Sequence, residues 1–129
     1  MHRFEAAATF LPMQVLVADD SALGRAVVIK KLRAAGVDVL ECSSVASTAS
    51  ADARALKCAL LDFELGDGLG IDVAEALRAV APHLPIAFFT ASKDDARLAS
   101  YVTFDKPNEI DEAVAWVVDH ASRAVEPAP

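Results

Sequence analysis

"KCALLDFELGDGLGIDVAEALRAVA" (residues 57–81) is the stretch that decides the fold. It opens with an apolar run of strand length and little alternation, the pattern of a strand buried on both faces of a parallel sheet. The run ends on a bare carboxylate, Asp62. A glycine-rich turn, "LGDGLG" (65–70), and an amphipathic helix pattern, "GIDVAEALRAVA" (70–81), follow it. A carboxylate at the end of a buried strand is costly unless something binds it.

Working outward, the same strand-then-helix unit recurs. Strand-length apolar runs are "MQVLVA" (13–18), "VDVLE" (37–41), "PIAFFT" (85–90) and "YVTF" (101–104), with "KCALLD" (57–62) in the middle. Between and after them lie helix patterns at 22–36, 44–56, 70–81 and 108–124. The last is the clearest: Asn108 is the expected N-cap, Glu109, Asp111 and Glu112 place negative charge at the helix's positive end, and Ile110, Ala113, Val114, Val117, Val118 and Ala121 make one apolar stripe. Gly36 stands where a helix-ending glycine belongs. The serine and threonine content of 44–56 makes that helix the weakest former. A β-α unit repeated five times requires right-handed crossovers and a sheet covered on both faces, a doubly wound α/β domain.

At 129 residues the chain has the length of one domain, and 54% apolar residues with a mean hydropathy of +0.34 make it globular. A net charge of −7 argues against nucleic-acid binding, which needs a basic face. No segment has the apolar length of a membrane span, and residues 1–13 lack the apolar core of a signal peptide, so the expectation is a cytoplasmic protein with no membrane partner. Residues 1–12 read as an N-terminal extension, 13–125 as the domain and 126–129 as a tail or linker.

In an open parallel sheet, ligands bind beyond the carboxyl ends of the strands. Asp19 and Asp20 follow strand one, Asp62 ends strand three, Thr90 ends strand four and Lys106 stands just past strand five; only strand two lacks an obvious contributor. Three neighbouring carboxylates need a counter-charge. A site of hard oxygens without histidine or cysteine suits Mg²⁺, or Mn²⁺, rather than zinc. Lys106 offers a point charge and Thr90 a hydroxyl, both suited to phosphoryl oxygens, and an aspartate that forms an acyl phosphate is an established nucleophile. Taken singly, Asp62 is a strand-end acid, Asp19 and Asp20 a capping pair, and Lys106 a loop lysine. Their weight comes from the set.

"VLVADDSALGRAVVIKKLRAAG", "LLDFELGDGLG", "FFTAS" and "DKP" resemble, in order and spacing, the receiver domain of bacterial two-component response regulators. The resemblance covers residues 13 to about 125. It implies a flavodoxin-like sheet of order 2-1-3-4-5. In that order Cys42 and Cys58 lie on strands separated by another, roughly 9 to 10 Å apart, and are reduced structural thiols. It further implies that Asp62 is the phosphoacceptor, taking a phosphoryl group from a sensor histidine kinase or a histidine phosphotransferase. Asp19 and Asp20 would hold Mg²⁺ together with Asp62 and the backbone carbonyl of Glu64. Lys106, Thr90 and the backbone N–H groups of Phe63 and Ala91 would contact the phosphoryl group. Output would pass to a protein partner or to an output domain outside this chain.

Two features depart from the family pattern. The aromatic switch residue usually stands three positions before the lysine, where this chain has Thr103; Tyr101 and Phe104 lie near it, and Trp116 flanks the last helix stripe. Only 15 residues separate Thr90 from Lys106. After strand and turns are subtracted, roughly two turns of helix remain, which predicts a short or irregular fourth helix in "KDDARLAS" (93–100). Two other readings fit the residues: a receiver-fold interaction module independent of phosphorylation, and a small aspartate-nucleophile phosphohydrolase, which Glu64 two residues after Asp62 superficially mimics. The absence of a cap domain speaks against turnover, and His2, His83 and His120 fall outside the constellation.

Overall fold

The computed structural model describes residues 13–123; the expected extension at 1–12 and tail at 126–129 lie outside the described residues. Five strands form one parallel sheet: β1 (Gln14–Ala18), β2 (Val39–Cys42), β3 (Leu56–Leu61), β4 (Ile86–Thr90) and β5 (Val102–Asp105). Their order is 2-1-3-4-5, as the sequence implies. The helices are α1 (Ala22–Ala34), α2 (Val45–Thr48), α3 (Gly70–Val80) and α4 (Ile110–Ala121).

The apolar runs split residue by residue between two cores, which is why they show so little polar alternation. Val15, Val17, Cys58, Leu60, Ala87 and Phe89 face α1 and α4, meeting Val28, Ile29, Leu32, Ala113 and Val117. Leu16, Ala18, Ala59, Leu61, Ile86 and Phe88 face the other way, onto Val73, Ala74 and Leu77 of α3, with Phe63, Leu65 and Leu98 filling in. Cys42 and Cys58 are buried free thiols on strands separated by β1. Burial raises the Cys58 thiol to about 12, so it stays protonated.

Helix ends follow local chemistry. The Ser21 hydroxyl accepts from the Gly24 N–H and starts α1, and Gly36, at φ 84°, ends it in the left-handed region that favours glycine.

Two expectations need correction. The helix expected over 44–56 is a single four-residue helix, α2, and a 3₁₀ turn at Ala53–Ala55. Its hydroxyls turn inward on the backbone: Ser44 and Ser47 cap each other's ends, Thr48 Oγ1 donates to the Val45 carbonyl and Ser50 Oγ to that of Ser47. Such local bonds compete with helix propagation. The fourth helix is short and irregular, as expected: one 3₁₀ turn at Ala96–Leu98, less than the two turns the residue count allows, capped by Asp95, whose carboxylate accepts from the Arg97 N–H and side chain. Those bonds to Arg97 hold the Asp95 carboxyl down to about 2. Finally, Asn108 does not cap α4. Glu109 occupies the N-cap position, and its carboxylate reaches back to accept from the Asp105 N–H at 2.7 Å. The expected stripe is otherwise as read, with Ala113 and Val117 buried and Ile110, Val114, Val118 and Ala121 packed around them.

Candidate functional site: an acidic pole at the strand ends

Parallel strands place all their carboxyl ends at one pole, and the β1–β3 pairing brings two of the acids there side by side. The Asp62 N–H donates to the Ala18 carbonyl at 2.9 Å, which seats Asp62 beside Asp19. Asp19, Asp20 and Asp62 each offer a carboxylate oxygen within 4.8 Å of the others. Asp19 is buried and Asp20 exposed.

The glycine-rich turn that follows Asp62 has a steric reason. A Cβ on Gly70 would overlap the carbonyl oxygen of Asp62, so only glycine lets α3 start against the end of β3. The Gly70 N–H donates to the Phe63 carbonyl at 2.6 Å and the Leu65 N–H to that of Gly68, which folds "FELGDGLG" into a compact loop with Gly66 at φ 78°. Asp67 ties this loop to its neighbour by accepting from the Val45 and Ala46 N–H groups, and those two bonds hold its carboxyl below the usual range.

Lys106 closes the cluster from β5. Its Nζ donates to Asp19 Oδ2 at 2.6 Å and to Asp62 Oδ2 at 2.8 Å, and its own N–H bonds the Thr90 carbonyl. Burial alone would lower the lysine, but the bonds to Asp19 and Asp62 outweigh it and hold the ammonium above its ordinary value. The Lys106–Pro107 bond is cis. The ammonium therefore already supplies one of the counter-charges that three carboxylates require.

Four of the five expected site residues, Asp19, Asp20, Asp62 and Lys106, thus converge. The fifth, Thr90, ends β4 fully buried, with its Oγ1 accepting from the Ser92 N–H at 3.1 Å. Glu64 is exposed, its backbone in a short bridge with Leu69. Phe63 is buried beneath the Arg97 guanidinium, 4.9 Å away. Ala91, the other residue expected to offer a backbone N–H, follows β4 directly and is exposed.

The residues expected to read out the site are spread over both faces. Tyr101 meets Phe88 edge-on at 5.1 Å and lies under Arg78. Thr103 donates its hydroxyl to the Tyr101 carbonyl. Phe104 packs on the opposite face with α4, and Trp116 also packs there, its ring 4.1 Å from that of His120.

Sequence reasoning leaves β2 without a contributor, and the structure supplies one. The Arg25 Nε pairs with Glu41 Oε2 at 2.6 Å, and Arg25 Nη1 donates to the backbone carbonyl of Asp19, also at 2.6 Å. The only signal in the sequence is an acid closing the run "VDVLE".

Fold and pole together define a class: a flavodoxin-like α/β domain with an acid cluster and a lysine at the carboxyl ends of its strands. The chain belongs to the response regulator receiver domain family, whose model matches residues 15–107. Among solved structures, it is similar to the non-phosphorylated HemR receiver domain from Leptospira biflexa (TM-score 0.77, 20% identity, covering 90% of this chain and 99% of that one). It is also similar to a receiver domain protein from Clostridium thermocellum (0.72, 19%, 86% and 95%). A third is the response regulator TrrA from Thermotoga maritima, solved in complex with Mg²⁺-BeF (0.70, 20%, 84% and 98%). No curated protein sequence gives a significant match.

Proposed function

We propose that Asp62 accepts a phosphoryl group from a phosphohistidine on a sensor histidine kinase or histidine phosphotransferase, in a cation-dependent reaction, and that the chain signals through the resulting change of surface. The observation that carries this reading is the pair of hydrogen bonds that Lys106 donates to Asp19 and Asp62 within a cluster of three carboxylates. The donor set fits Mg²⁺, or Mn²⁺: oxygen ligands only, one acid buried and one exposed to a solvated side. Asp19, Asp20, Asp62 and the backbone carbonyl of Glu64 would hold the ion. When bound, it supplies positive charge that offsets the charge on the transferring group.

The chain's own residues do the rest. A carboxylate oxygen of Asp62 forms the new O–P bond as the P–N bond breaks, and the phosphohistidine ring, protonated on its other nitrogen, takes the electron pair of that bond and leaves as neutral imidazole. Lys106, released from Asp62 Oδ2, pairs with a phosphoryl oxygen. The Phe63 and Ala91 N–H groups and the Thr90 hydroxyl donate to the others. Catalysis of this kind is positioning and electrostatics. The Thr90 hydroxyl accepts from the Ser92 N–H and keeps its own hydrogen to donate, and its turn toward the phosphoryl group is the start of the switch. Tyr101, Thr103, Phe104 and Trp116 are its candidate readouts. Tyr101 is the foremost, since its ring abuts Phe88 two residues before Thr90 on β4.

The partner is a protein or an output domain beyond residues 13–125, and the setting is cytoplasmic. Among the described residues no helix is long and apolar enough to cross a membrane. The chain is not a turnover enzyme. The reduction of the fourth helix to one 3₁₀ turn favours, as a second reading, an interaction module whose output is independent of phosphorylation. Intact mass spectrometry after incubation with acetyl phosphate and Mg²⁺ separates the two. One added phosphate, lost in Asp62→Asn and on chelation, is the expected result; an unmodified wild-type chain would sink the proposal.

A further inference from the structure

Asp19 is held at every polar atom. Its N–H donates to the Cys42 carbonyl at 3.1 Å, its Oδ1 accepts from the Ser21 N–H at 2.9 Å and its Oδ2 from Lys106. Its carbonyl oxygen, part of the peptide that joins it to Asp20, accepts from Arg25. Three of these four partners come from strand pairing, the adjacent turn or the site lysine. The fourth, Arg25, comes from the first turn of α1 and is itself fixed from a third element, through Glu41 on β2.

The guanidinium is well suited to this. It is planar, with donors forked at fixed angles, so Nε on Glu41 and Nη1 on the Asp19 carbonyl set the orientation of the Asp19–Asp20 peptide. The Arg25 side chain is only 14% exposed, while that of Glu41 is 44% exposed. A pair with one partner open to solvent adds little to stability by itself. Its geometry, however, bears on the one segment of the pole that carries two acids in succession. Asp20 has an exposed side chain, and its direction follows from the peptide that precedes it.

We infer that Arg25 and Glu41 are positioning residues for the cation-binding acids: through Arg25, β2 sets the peptide that aims Asp19 and Asp20, and so tunes the affinity of the pole for Mg²⁺. The inference rests on the proposed function for the identity of the ion. The residues that orient a ligand commonly matter for metal affinity by 10- to 100-fold, and a bond to the ligand's backbone belongs at the lower end, about tenfold.

The test is Mg²⁺ titration of the full chain by calorimetry, with a thermal melt in EDTA and amide hydrogen exchange at Ser21 in the metal-free protein. Arg25→Lys keeps the charge but loses the fork, and Arg25→Gln loses the charge. Each is expected to weaken Mg²⁺ binding about tenfold and to speed Ser21 exchange, with the EDTA melting temperature nearly unchanged. Glu41→Gln is expected to move Mg²⁺ affinity the same way by less. The Arg25→Gln, Glu41→Gln double variant is expected to match Arg25→Gln alone, because Glu41 acts only through the arginine. Arg33→Gln, exposed on the same helix, is the unaltered control.

Folded Arg25 variants that bind Mg²⁺ as the wild type does would overturn the inference while leaving the proposed function standing. So would affinity losses that merely track losses of melting temperature. A wild-type chain that takes no Mg²⁺ would overturn both.

Discussion

The two faces of the sheet are built differently. The face of α1 and α4 carries helices of 13 and 12 residues with apolar stripes closed on Val15, Val17, Leu60 and Phe89. On the other face only α3 is a full helix; a four-residue helix and two 3₁₀ turns replace the rest. Yet Asp19 and Lys106 stand next to the first face, where α1 begins and α4 is about to. Asp19 and Lys106 are thus anchored beside the face with the two long helices, and among the described residues the shortened elements lie on the other.

Gly70→Ala tests where the two regions join, because its Cβ would overlap the Asp62 carbonyl and force β3 and α3 apart. The expected cost is about 3 kcal/mol in urea unfolding, the upper range for overpacking. Gly68→Ala, which meets only the Val45 side chain at 3.0 Å, is expected to cost far less. Equal losses would mean that the loop does not depend on this close approach.

Truncation of one buried leucine on each face compares their packing directly. Leu32→Ala, on the buried side of α1, is expected to cost about 3 kcal/mol, and Leu98→Ala, in the 3₁₀ turn, about 2, since a short turn can relax into the space. A larger loss at Leu98 would show the remodelled face to be the more tightly specified one.

The smallest effect is expected at Asp67→Asn, which weakens the tie between the β3–α3 loop and α2. The Asp67 carboxyl is held below its ordinary 3.8, so its contribution is complete above that pH and is lost as pH falls through the lower native value. The melting temperatures of wild type and variant should therefore differ slightly at neutral pH and converge in acid. A difference that persists there would refute the ionic origin of the tie.

What could be read beforehand follows the same division. The strands were legible because "MQVLVA", "KCALLD" and "PIAFFT" cannot be exposed on either face, their order only through the resemblance to the receiver family, and the pole because its residues sit at strand ends, where topology alone gathers them. The helix at 44–56 was not, because the Ser44, Ser47 and Thr48 hydroxyls settle their bonds locally, and composition does not show which way a hydroxyl will turn. Glu109 reaching back to Asp105 displaced the expected cap at Asn108 for a similar reason. Arg25 and Glu41 were missed because a long side chain crosses from a helix to a neighbouring strand, a contact with no fixed spacing in sequence.

Of the acids at the pole, Asp62 alone is expected to become an acyl phosphate. Borohydride reduces an aspartyl phosphate to homoserine, which tandem mass spectrometry locates in the digested chain. After treatment with acetyl phosphate and Mg²⁺, the account predicts homoserine at position 62 and at no other acid of the pole. Reduction at position 19 or 20, or none in a chain shown to be folded, would contradict it.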